Sequence, residues 1–317
     1  MRLVSFVAPE VPEAGVPAAT RTGLVVGDGH LEVVDLTDPV IGLPGDMVAL
    51  LGLGPDGLER AAGAAGSGAR RWSLEEVELL APVPVPPKVM AIARNYLAHA
   101  KEMGWEVTEH QYWFNKQRTS VTGPGSPVVM PGVSDEVDYE GELAIVIGSR
   151  CNRVPADRWL DVVAGFTVVN DVSVRDWQSH APSFTTGKSF DTHCPMGPYL
   201  VTPDEVPDPG HLSVRTWVND ELRQDSNTEL LIFTCAQMVE YLSTAFTLEP
   251  GDVLCTGTPA GVGKGFNPPK WLKPGDTVRI EVEHVGVLEN PIVDVPAAAP
   301  SPAPSLSGAR QNGGGPA

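Results

Sequence analysis

The sequence predicts a strand-rich α+β protein, with a larger domain of mixed β structure behind a small β-rich N-terminal domain. Leu143–Ile147 and Phe166–Val169 are continuous apolar runs of strand length, as expected for strands covered on both faces. Pro250-Gly251-Asp252 and Pro274-Gly275-Asp276 are tight turns, each followed by a β-rich run. Strands and helices do not alternate regularly, which argues against a doubly wound parallel sheet.

Residues 1–80 alternate short β-like runs (Arg2–Val7, Thr22–Val26, Leu31–Val34) with Gly, Pro and Asp, followed by helix-like stretches near 46–53 and 57–65. Residues 81–88 are proline-rich; proline fixes φ and biases its predecessor away from the helical region, so this segment reads as a stiff linker. Residues 89–295 form the larger domain: a strand at Val89–Ala93, a helix from Tyr96 to Met103, the two buried strands, and a helix opened by the capping-box pair Thr234 and Gln237. Residues 296–317 are Pro, Ala, Ser and Gly-rich, with too little apolar side chain to offset the entropy of ordering, and are expected to be disordered.

The chain has 317 residues, 42% hydrophobic, with 40 acidic against 22 basic side chains and a net charge of −18. Such a surface repels phosphate backbones and anionic lipid, so nucleic acid and membranes are poor partners. An anionic small molecule is not excluded, because a metal and a few local cations reverse the field inside a cleft. The four cysteines are scattered with no Cys-x-x-Cys pair, which suits reduced thiols. With no leader and no apolar run long enough to span a bilayer, a cytoplasmic protein is expected.

Glu140 and Glu142 flank one glycine, and Asp171 follows a second apolar run. Residues i and i+2 of an extended chain project from one face, so the two glutamates converge and a second strand adds Asp171. Three carboxylates around one point repel unless a cation sits among them. The cluster contains no histidine or thiolate, so a hard divalent ion fits: Mg²⁺, Mn²⁺ or Ca²⁺. The plainer alternative is a solvated turn leading into a strand.

His99 and Glu102 share a helix face at i,i+3, where the carboxylate fixes one imidazole nitrogen and frees the other as a general base; an exposed ion pair is the alternative. Lys188, in a small-residue loop, is a candidate partner for a substrate carboxylate or oxyanion, or else a solvated lysine. Arg175 and Gln178 follow Asp171 at helical spacing and are candidates to hold polar substrate groups, with a surface helix face as the alternative. The loop 256–265 fails the phosphate-loop spacing, with five residues between Gly257 and Gly263 and Gly265 in place of the hydroxyl residue, though Thr258 and exposed amides suit a carboxylate. No G-x-S-x-G elbow and no His-Glu-x-x-His occur.

Taken in order, Arg94-Asn95-Tyr96 with His99 and Glu102, Phe114-Asn115-Lys116, Asp138-Tyr139-Glu140-Gly141-Glu142, Asn170-Asp171-Val172-Ser173, Gly187–Asp191, Leu248–Asp252 and Thr256–Pro259 resemble the fumarylacetoacetate hydrolase family from about Val89 to Val293. The resemblance implies a dimeric protein with a mixed β-roll catalytic domain. It implies Mg²⁺ or Mn²⁺ on Glu140, Glu142 and Asp171, a water-activating His99–Glu102 pair on a lid segment, and Lys188 as the active-site lysine. It further places Arg94, Tyr96, Arg175, Gln178 and Thr258 at substrate-contacting positions. The departure is Gln117, where many relatives carry proline.

The implied substrates are 2-oxo acids, which chelate a metal through carboxylate and keto oxygen. The first reading is C–C hydrolysis of an acylpyruvate-like 1,3-diketo acid, with His99 activating water. The alternative is isomerisation or decarboxylation of a 2-oxo dicarboxylate of the oxaloacetate or hydroxydienedioate type. A non-catalytic binding protein is the third, disfavoured because every expected position is filled.

Overall fold

The computed structural model describes residues 1–9 and 19–295; the tail expected to be disordered lies outside the described residues. Apolar runs of the predicted kind form the centre of the molecule. Gly141–Ile147 and Val163–Asn170 are buried at every position and pair antiparallel. They lie in a twelve-stranded mixed sheet in which ten strands run in the order Arg71–Ser73, Glu32–Asp35, Thr20–Val26, Arg2–Val7, Cys194–Val201, Val163–Asn170, Gly141–Ile147, Val253–Cys255, Val89–Ala93, Tyr112–Lys116, while Glu78–Leu79 pairs with Arg2–Val7 and Val121–Thr122 with Cys194–Val201. A five-stranded sheet (Glu221–Asn227, Ser213–Val218, Thr277–Val282, Gly286–Val293, Val128–Val129) packs against it, and Val137–Asp138 pairs with Ser173–Val174 as a small ribbon.

The two faces of the central strand bury different cores, as a period of two requires. Leu143, Ile145 and Ile147 pack with Phe166, Val214, Val278, Ile280 and Leu288, toward the five-stranded sheet. Ala144 and Val146 pack with Leu3, Leu24, Met47, Leu50 and Leu51, toward the N-terminal helices. Each fully buried Leu, Ile or Val contributes roughly 1.5–3 kcal/mol relative to exposure. Glu142 shares the parity of Ala144 and Val146, so it ends the second face, not the first.

The proline-rich segment 81–88 does not interrupt the sheet. Arg2 and Leu3 pair with Val201 and Leu200, and Leu3, Leu24 and Leu50 share a core with Val89 and Ala91. Strand-to-strand hydrogen bonding therefore runs on from residues 1–80 into residues 89–295.

Helices are short and capped where the sequence places caps. Asp46 accepts from the Ala49 N–H at 2.8 Å to open Met47–Leu51. Thr234 and Gln237 form the reciprocal capping box of Cys235–Ala245. The helix expected from Tyr96 to Met103 spans Leu97–Glu102. No helix starts at Asp171: Ser173–Val174 is tied to Val137–Asp138, and the helix runs only over Arg175–Gln178. No helix among the described residues is long and apolar enough to cross a membrane. All four cysteines are free.

Candidate metal centre and active site

Strand register builds the carboxylate cluster. Gly141 pairs with Asn170, so Asp171 follows directly beside Glu140, and the Asp171 N–H donates to the Glu140 carbonyl at 2.9 Å. The Asn170 carboxamide oxygen accepts from the Glu140 N–H at 3.0 Å. Glycine between the glutamates is a packing requirement: a Cβ on Gly141 meets Thr216 Oγ1 at 2.2 Å. One oxygen from each of Glu140, Glu142 and Asp171 lies within 4.8 Å of the others, and all three residues are buried. The solvated-turn alternative is thereby excluded.

Cations hold two of these acids. Lys188 Nζ is 2.7 Å from both Glu140 Oε2 and Asp171 Oδ2. Lys116 Nζ is 2.7 Å from Asp171 Oδ1, and Arg175 Nη1 is 2.7 Å from Glu140 Oε1. Burial alone raises the Glu140 carboxyl, but the Lys188 and Arg175 charges outweigh it and hold it below its usual range. Burial would discharge Lys188; Asp171 and Glu140 reverse that and keep the ammonium above its ordinary value.

Glu142 differs. It accepts from the Gly257 N–H at 2.7 Å, and no ion pair reaches it among the described residues. Burial pushes its carboxyl well above the usual range, with the Asp171 and Glu140 charges pushing the same way. A buried carboxylate with no countercharge is costly unless an ion is held there. An all-oxygen donor set containing one uncompensated acid fits a Mg²⁺ or Mn²⁺ site.

The acid–base pair is present. His99 is 4% exposed and its Nδ1 lies 3.2 Å from Glu102 Oε2. With Nδ1 engaged by this carboxylate, Nε2 is the ring nitrogen left free of it. Glu102 is itself fixed by the loop 261–265: its Oε1 accepts from the Gly261 N–H at 2.9 Å, and it packs so close to Gly265 that a Cβ there falls 2.2 Å from Oε1.

A small cavity of about 10 Å³ is lined by Arg94, His99, Glu140, Gln178, Lys188 and Thr258, with Trp105 and Phe114 in its wall. It has room for a single water. Larger concavities of about 580, 550 and 230 Å³ among the described residues contain none of the three carboxylates. Chemistry, not size, locates the site.

The remaining predicted positions divide. Gln178 lines the cavity, its oxygen occupied by Arg175 Nη1 at 3.0 Å, which leaves its NH₂ for a substrate oxygen. Thr258 donates to the Gly141 carbonyl at 3.0 Å and accepts from Gln224 Nε2 at 2.8 Å. Arg175 is not in the cavity wall; it is 1% exposed, with its guanidinium engaged by Asp138, Glu140 and Gln178. Tyr96 is 2% exposed and also lies off the cavity, its phenol pushed up by burial and by the Glu142 charge.

Sequence reasoning missed three supporting residues. Asp138 accepts from the Gly263 N–H at 2.6 Å and from Arg175 Nε at 2.8 Å, joining the loop that seats Glu102 to the arginine that pairs Glu140. Its position two before Glu140 was the available signal. Lys116 closes an aromatic-rich strand, and Gln224 braces Thr258 and Gly141 from the other sheet. Neither has a local signature.

Buried acids on adjoining strand ends beside a histidine–glutamate pair define a metal-dependent enzyme. The chain belongs to the fumarylacetoacetate hydrolase family: the model described as fumarylacetoacetate (FAA) hydrolase C-terminal matches residues 88–293. It is 46% identical over 229 residues to an oxaloacetate tautomerase of Bacillus subtilis (strain 168), covering 71% of this chain and 76% of that protein. It is 40% identical over 295 residues to a mitochondrial oxaloacetate tautomerase of Xenopus laevis, covering 92% and 90%. Its fold matches the crystal structure of maleylpyruvate hydrolase from Sphingobium sp. SYK-6 in complex with manganese(II) and pyruvate. There the TM-score is 0.75 and the identity 36%, over 93% of this chain and 99% of the other.

Proposed function

We propose that this chain is a divalent-metal-dependent tautomerase of 2-oxo dicarboxylates, interconverting the keto and enol forms of a substrate of the oxaloacetate type. The observation that carries the reading is His99, held by Glu102, lining the same cavity as Glu140 and Lys188. Two relatives named as oxaloacetate tautomerases support this reaction over the C–C hydrolysis favoured from the sequence alone.

The reaction needs a proton taken from the carbon between two carbonyl groups and a proton given to the 2-oxygen. His99 Nε2, freed by the Nδ1–Glu102 contact, takes the C3 proton; the electron pair of the C–H bond forms the C2=C3 double bond as the carbonyl π pair moves to the 2-oxygen. Lys188 donates toward the oxygen where that charge develops, and the Gln178 NH₂ hydrogen-bonds a substrate carboxylate oxygen. Return of the proton held on His99 to the 2-oxygen completes the enol and regenerates the base; the reverse order gives the ketone. A divalent ion on Glu140, Glu142 and Asp171, when bound, supplies Lewis-acid polarisation of the 2-oxo group. Trp105 and Phe114 keep bulk water from the reacting carbon.

Hydrolysis of an acylpyruvate is the second reading, supported by the hydrolase likeness. It uses the same dyad with an added water. Incubating the Mn²⁺-loaded protein with enol-oxaloacetate and with acylpyruvates separates the two. The tautomerase reading expects loss of enol absorbance without a C–C bond broken. Cleavage of acylpyruvates with no effect on oxaloacetate contradicts it. A cytoplasmic homodimer accompanies this proposal, checked by sedimentation.

A further inference from the structure

We infer that Arg94 is the specificity-determining residue that holds the second carboxylate of the substrate, the one remote from the 2-oxo group. This rests on the tautomerase reading and names which end of the substrate each cation serves.

A dicarboxylate bound by its 2-oxo acid end leaves one anionic group in a small, largely buried cavity, where an unpaired charge is costly. The lysine and arginine that line the cavity are Lys188 and Arg94, and Lys116 and Arg175 reach the carboxylates from behind it. Lys116 is taken by Asp171, Lys188 by Glu140 and Asp171, and Arg175 by Asp138 and Glu140. Arg94 makes no ion pair among the described residues, and its Nε is buried with no hydrogen-bond partner. Its guanidinium lies 5.0 Å from the Trp105 ring and 5.4 Å from the Tyr112 ring, flanked by aromatic rings but not neutralised.

The backbone supports the same assignment. Arg94 has φ +62°, the left-handed region that a long side chain enters only when its surroundings enforce it. The next residue supplies that enforcement. The Asn95 side chain donates to the Phe233 and Thr256 carbonyls at 3.0 and 2.9 Å and accepts from the Phe233 N–H at 2.7 Å. The backbone locked in this way sets Arg94 in the lining of the cavity that also contains His99 and Glu140, and a guanidinium carries a planar two-pronged donor. That fork matches a carboxylate bidentately.

The test is the selectivity of the Mn²⁺-loaded protein, measured as calorimetric dissociation constants for oxaloacetate and for 2-oxobutanoate, which lacks the second carboxylate. The parent should prefer oxaloacetate. Arg94→Gln should weaken oxaloacetate by about 100-fold, collapsing the preference. Arg94→Lys, which keeps the charge but loses the fork, should fall between. Equal weakening of both ligands, or a parent with no preference, overturns the assignment. If Arg94→Gln fails to fold, the Lys variant decides: its ratio must shift toward one. Because binding is read apart from turnover, a protein that binds oxaloacetate selectively through Arg94 yet leaves its enol untouched overturns the reaction and not the role of Arg94.

Discussion

Gly141 faces Asn170 across the two central strands, and this one pairing sets Asp171 beside Glu140, their backbones joined at 2.9 Å. The metal centre is therefore a product of strand register. A slip of one residue would turn the acids to the opposite face.

Space at that pairing is the first quantity to test. Gly141→Ala brings a Cβ to 2.2 Å from Thr216 Oγ1 inside a sealed contact. It should cost about 1–3 kcal/mol in urea unfolding and weaken Mn²⁺ binding. Thr216 Oγ1 has no hydrogen-bond partner, so Thr216→Ala alone should be near neutral. Combined with Gly141→Ala, it should return most of the lost stability.

Glu142 gives an opposite sign with and without metal. In chelator, Glu142→Gln removes a buried carboxylate that no cation offsets. The variant should be about 1–3 kcal/mol more stable than the chelated parent. Added Mn²⁺ should raise the parent's Tm and leave the variant's unchanged, read by calorimetry across a metal titration.

The proton-transfer pair is separable from the metal. His99→Ala should lower kcat by about 10²–10⁴-fold while calorimetry shows Mn²⁺ binding retained. Gly265→Ala is the finer probe, since its Cβ displaces Glu102 without touching the carboxylate cluster. A displacement of this size should cost about 10- to 100-fold in kcat, with an unchanged unfolding curve.

Much of this arrangement was legible because the acids obey a local rule. Glu140 and Glu142 are two apart, His99 and Glu102 three apart, and the strands carrying the acids are uninterrupted apolar runs. What the sequence concealed depends on partners far along the chain. Arg175 reads as a helix-face residue free to meet substrate, yet Asp138 and Glu140, 35 or more positions earlier, engage its guanidinium. Lys116 and Gln224 take their roles from Asp171 and Thr258, 55 and 34 residues away. Joining of the N-terminal strands to Cys194–Val201 was invisible for the same reason.

His193 gives a pH signature outside the site. Burial, with the Lys116 charge, depresses its imidazole to about 4 from 6.5, while its Nε2 contacts the Val129 carbonyl at 2.9 Å. Below pH 6.5 the unfolded chain takes up a proton that the folded chain refuses until about pH 4. Stability should thus fall through that window as pH drops, at up to about 1.4 kcal/mol per pH unit. His193→Gln should flatten that part of the curve in urea titrations run at stepped pH.

The central claim is that Glu140, Glu142 and Asp171 hold a divalent ion on which a 2-oxo dicarboxylate is enolised. The direct measurement is the decay of enol-oxaloacetate absorbance with protein, Mn²⁺ and chelator varied, for the parent and for Glu142→Gln. The account predicts acceleration by the Mn²⁺-loaded parent alone, abolished by chelator and absent in the variant. Equal acceleration by chelated parent or by Glu142→Gln would contradict it.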